Sequence, residues 1–138
     1  MPCQHLARAA SAVMAVALVT AGGGCGSDGD DRLEESSLRE CLAAGELEIE
    51  PPGATTAGAA LGTASPDFSA TTPRGVEVDV IVTEGDRAAK RTAADVRAAL
   101  LGFGVADAEI MSERNAVVVV TGEASADARG VIEDCLGA

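Results

Sequence analysis

The chain has no tryptophan and no tyrosine, and only two phenylalanines, Phe68 and Phe103. Its single histidine is His5 and its single lysine is Lys90. Each scarcity closes off a class of chemistry. Beyond residue 5 there is no imidazole, so Ser–His, Cys–His and zinc–histidine sites are excluded. With almost no aromatic rings, a surface for stacking sugars is missing. Cations are scarce too: ten Lys and Arg stand against 22 Asp and Glu, a formal net charge of −12. Such acidity repels nucleic acid and anionic membrane surfaces as electrostatic partners. Paired carboxylates can hydrolyse glycosides, but a domain this small offers no deep cleft for that work. The chain therefore reads as non-enzymatic, with no cofactor and no nucleic-acid partner.

Long apolar runs are absent as well. Ala9–Ala21 is the longest. It holds about a dozen residues where a membrane-spanning helix needs roughly 20. Preceded by Arg8 and no acid, it has the pattern of a secretory signal. Gly22-Gly23-Gly24-Cys25 follows. This resembles the lipobox of bacterial lipoproteins, in which small residues precede a cysteine that is diacylated and becomes the new N-terminus. The resemblance implies a signal peptide over 1–24, a lipid on Cys25, and anchoring to the cell membrane on the side away from the cytoplasm. Gly22 departs from the aliphatic residue usual there, which leaves free secretion of an acidic domain as the alternative.

The cysteines fit this reading. Cys3 leaves with the signal and Cys25 takes the lipid, so Cys41 and Cys135 remain. In an exported chain two such cysteines are expected to pair. Each falls in the last turn of an expected helix. Without lipidation, Cys25 would be an odd exposed thiol.

Residues 25–31 read as a polar tether. They lack the spacing of a calcium loop. Domain 32–138 follows, with helices expected at Asp31–Ala44, Thr92–Leu101 and Ala126–Leu136. Asp31, Thr92 and Ser125 are the expected caps. Strands are expected at Glu46–Glu50, Val76–Thr83, Ala106–Met111 and Val117–Thr121, the last two as a hairpin. Glu84–Arg91 reads as a charged connection, and Phe103 as a plug for the core. Residues 51–75 are rich in Ala, Gly, Thr, Ser and Pro, and read as a disordered insert.

This order predicts a small α+β, ferredoxin-like fold: a split β-α-β unit, with Glu46–Glu50 supplying a permuted fourth strand. The sheet should be antiparallel, with helices on one face and water on the other. Glu46, Glu48, Glu50, Glu77 and Asp79 could then share the open face. Crowded carboxylates point to a weak calcium site or to a basic protein partner. The plainer reading is a solvated face that protects a sheet edge.

Ala106–Leu136, with its turn at Arg114-Asn115, its strand ending in Thr121-Gly122 and its helix opening at Ser125, also resembles the hairpin and helix of BON domains. That family occurs in bacterial envelope proteins. The resemblance implies binding close to the membrane or the peptidoglycan.

Overall fold

The computed structural model describes residues 32–51, 55–61 and 66–137. The expected signal peptide, Cys25 and the tether lie outside them.

Local sequence sets the clearest elements. Helix α4, Ala126–Leu136, opens where the Ser125 hydroxyl accepts from the Ala128 N–H at 3.2 Å. It closes at Gly137, whose φ of 74° suits a residue without a β-carbon. The hairpin of β4, Ala108–Glu113, and β5, Ala116–Thr121, turns through Arg114 at φ 53°. Strand β3, Glu77–Val82, pairs antiparallel with β5.

Two elements arise inside the stretch expected to lack order. Helix α2 spans Thr56–Leu61 and strand β2 spans Phe68–Thr71. The expectation of a disordered insert at 51–75 is corrected here. Phe68 and Ala70 alternate with Ser69 and Thr71, and β2 pairs with β3 along its whole length. Just before β2 the Asp67 carboxylate accepts from the Val82 N–H at 2.6 Å. Strand β1, Glu48–Glu50, lies beyond β2 rather than against β3. The sheet order is β1-β2-β3-β5-β4, antiparallel throughout.

The architecture is α+β, an open antiparallel sheet that fits the small ferredoxin-like plan, with four helices among the described residues. The helices do not share one face. Helix α1, Glu35–Ala44, and α4 cover the face of Phe68, Val78, Val80, Val118 and Val120. Helix α3, Asp86–Gly102, and α2 cover the face of Ile81, Val117 and Val119. The valine run of β5 explains the difference: a strand apolar on both sides requires cover on both sides. Helix α3 also starts six residues before the expected Thr92, because the charges of 86–91 line its solvent side instead of forming a loop.

Helices α1 and α4 approach closely at Gly45, where any β-carbon would collide with the Val131 methyls. Nearby, Cys41 and Cys135 form the expected disulfide. No helix of the described residues is long and apolar enough to cross a membrane.

Candidate functional site

The five carboxylates proposed to share an open face are not brought together. Glu46 sits in the turn after α1 with φ 67°, outside the strand. Glu48 and Glu50 are exposed on β1, and Glu77 and Asp79 lie two strands away on β3. Strand β2 inserts a hydroxyl into each row: Thr71 stands between Glu48 and Glu77, and Ser69 between Glu50 and Asp79. Among the described residues no group of three or more His, Cys, Asp or Glu is placed to hold a metal ion.

Nor is that face open at Glu77 and Asp79. The Glu77 carboxylate accepts from the Thr56 N–H of α2 at 2.9 Å, and the Thr55 hydroxyl accepts from the Gly58 N–H at 2.9 Å. Asp79 is fully buried. One of its oxygens accepts from the Ser69 hydroxyl at 2.7 Å; Oδ2 has no hydrogen-bond partner among the described residues. Glu77 thus holds the start of α2 on the sheet, and Asp79 is closed off from any ligand.

Burial pushes the Asp79 carboxyl above its usual range; the Ser69 hydroxyl pulls the other way, and the Glu77 charge adds to the rise. A raised native pKa contributes stability below the unfolded value, and that contribution is lost as pH rises through the native value. Asp79→Asn removes the titration. The gap in urea midpoint between Asp79→Asn and wild type should therefore move in favour of the variant from about pH 4 to pH 8. A gap independent of pH would mean that Asp79 titrates like an exposed carboxyl.

Sequence reasoning missed three features. Asn115, 2% exposed, clamps the start of the described chain: its side chain accepts from the Leu33 N–H at 2.6 Å and donates to the Leu33 carbonyl at 3.1 Å. Its amide also donates to the Thr83 carbonyl at 3.3 Å. The Asn at a hairpin turn signals the turn, but nothing in the chain marks its distant partner.

The second is an open cleft of about 620 Å³ between the β2–β3 turn, the start of β4 and the start of α4. Arg74 and Arg129 line it beside Asp107, Glu109 and Glu123. Arg129 is committed to Glu109, with both Nε and Nη2 within 3.0 Å of one carboxylate oxygen. The cleft is polar, with two arginines against three acids.

The third is the end of α3. Phe103, expected to plug the core, is 68% exposed, and Leu101 is 65% exposed. Leu100 already fills the inward position at the close of α3, and Phe103 caps the helix on the solvent side. The Lys90 ammonium on the same helix is held above its usual range by a hydrogen bond to the Asp86 carboxylate.

Compared with known proteins, the chain matches no family model, no curated protein and no solved structure.

Proposed function

We propose that this chain is an exported lipoprotein, held on the outer side of the cell membrane through Cys25, whose domain binds or docks rather than catalyses. The observation that carries the reading is the disulfide. Cys41 and Cys135 pair, and they account for two of the three cysteines after the apolar run. The third is Cys25, directly behind Gly22-Gly23-Gly24. Structural disulfides persist in oxidising compartments, which supports export. A chain without histidine after residue 5 supports a non-catalytic role. Residues 26–31 then serve as a polar spacer between the lipid and the domain.

The test is the intact mass of the protein taken from the membrane fraction of the producing cell, before and after reduction. The expected species starts at Cys25, carries a diacylglycerol, and gains one hydrogen per bridged sulfur on reduction. Gly22 favours one rival, ordinary signal cleavage. An unmodified species in the medium, with a free Cys25 thiol, overturns anchoring and establishes a secreted domain.

A further inference from the structure

We propose that α2 is a detachable cover on the sheet, closed only while Asp79 is uncharged, and that its opening bares Asp79 with the apolar face of Ile81 and Val119. The proposal stands independently of export and anchoring.

Helix α2 is lightly held. It is six residues long, Thr56-Ala57-Gly58-Ala59-Ala60-Leu61. An isolated helix needs about twelve or more, so α2 keeps its shape only by lying against something. Within 56–60, Ala57 is buried and Ala60 half-buried against the core of Ile81, Val117 and Val119. Two methyl groups are a small apolar hold. The Thr56 N–H fastens the backbone to the sheet by donating to Glu77. The Thr55 hydroxyl accepts from the Gly58 N–H and so stays within the segment.

Beneath α2 lies a group that resists charge. Asp79 is fully buried, and its Oδ2 has no partner among the described residues. The elements around it bring no cation. Strand β2 sets Ser69 opposite it, and β5 sets Val119. Helix α3 buries Ala89, Ala93, Val96 and Leu100. Residues 51–66 contain no charged side chain. The charge that does act on Asp79 is Glu77, of the same sign. An ionised carboxylate here is buried, short of donors and beside a like charge. The Ser69 and Thr55 hydroxyls and the Ala57 N–H favour the charged form, but burial outweighs them and holds the carboxyl above its usual range.

With α2 lifted, Asp79 meets water and titrates as an ordinary carboxyl. At low pH both forms keep the proton, and opening does not depend on pH. Between the open-form and closed-form values, opening releases the proton. The open fraction then grows with pH, by up to about tenfold per pH unit. Rising pH therefore loosens α2. The rest of the domain stays folded. Helices α1 and α4 cover the other face and are tied by Cys41–Cys135, while α3 remains packed on β4 and β5.

Hydrogen exchange on the whole chain tests this from about pH 4 to pH 8, with each rate corrected for the intrinsic rate at that pH. The Ala59 and Ala60 amides report on α2; the Ala59 N–H donates to the Thr55 carbonyl at 2.8 Å. The β5 amides report on global opening. The α2 amides should be at least about 100-fold less protected than those of β5. Their protection should fall as pH rises, by up to about tenfold per pH unit. In Asp79→Asn it should stay level, near the wild-type value at low pH. Ser69→Ala keeps the acid and removes a donor to its charged form, so the fall should extend to higher pH. Amides of α2 as well protected as those of β5, protection that does not change with pH, the same fall in Asp79→Asn, or an unaltered profile in Ser69→Ala overturns the proposal.

Discussion

Replacing Cys41 and Cys135 together by serine should lower the thermal midpoint by roughly 8–40 °C. The bridge spans 94 positions, nearly the whole described domain. In the chain-entropy account a loop of about that size is worth some 4–5 kcal/mol, and removal of native bridges from small exported domains costs about 2–5 kcal/mol. In a domain of this size, each kcal/mol moves the midpoint by about 4–8 °C. The bridge joins the last turns of α1 and α4, whose Leu38, Leu42 and Ile132 share a core with Phe68. Loss of the link removes the covalent tie between α1 and α4 and leaves only their packing. Calorimetry on wild type, on the reduced protein and on the double variant checks this. Reduction should reproduce the double variant, and a midpoint unchanged in both would show that the bridge does not form.

Phe68→Ala should cost about 3–5 kcal/mol, the range for emptying a buried aromatic site. Phe68 has no exposed surface and stands opposite Val80 in the ladder of β2 and β3. The Arg39 guanidinium covers its ring at 4.6 Å from the centroid, held in place by Glu35 at 2.8 Å. Phe103→Ala is the internal control. Its side chain lies in solvent, so stability should change by less than about 0.5 kcal/mol. Urea unfolding of both variants decides the matter. Equal, small effects would mean that β2 does not sit in the sheet.

Much of the fold was legible because local and global signals agreed. The Ser125 cap and Gly137 bounded α4, the alternating valines marked β3, and the valine run after the Arg114-Asn115 turn marked the hairpin. The α+β class and the Cys41–Cys135 pair followed. Strand β2 was not legible. Phe68-Ser69-Ala70-Thr71 is short, and its neighbours are the glycines, threonines and prolines of a linker. Its order comes from β3, a partner that the segment itself does not reveal. The same hidden strand misplaced the acids. Asp79 in an alternating strand reads as solvent-facing, yet α2 covers it. Helix α3 was cut short for the opposite reason. A dense run of charges looked like a loop, when it was the outer face of a helix.

The Asn115 clamp has a mechanical meaning. A pull on the N-terminal segment loads the domain first at Leu33, where one buried amide makes two hydrogen bonds to the backbone. If that fastening yields, α1 begins to unravel from its N-terminal end. It stops at Cys41, eight positions further on, where a covalent bond to α4 takes the load. The stretch that can pay out before the bridge is loaded is therefore limited to the residues from Leu33 to Cys41.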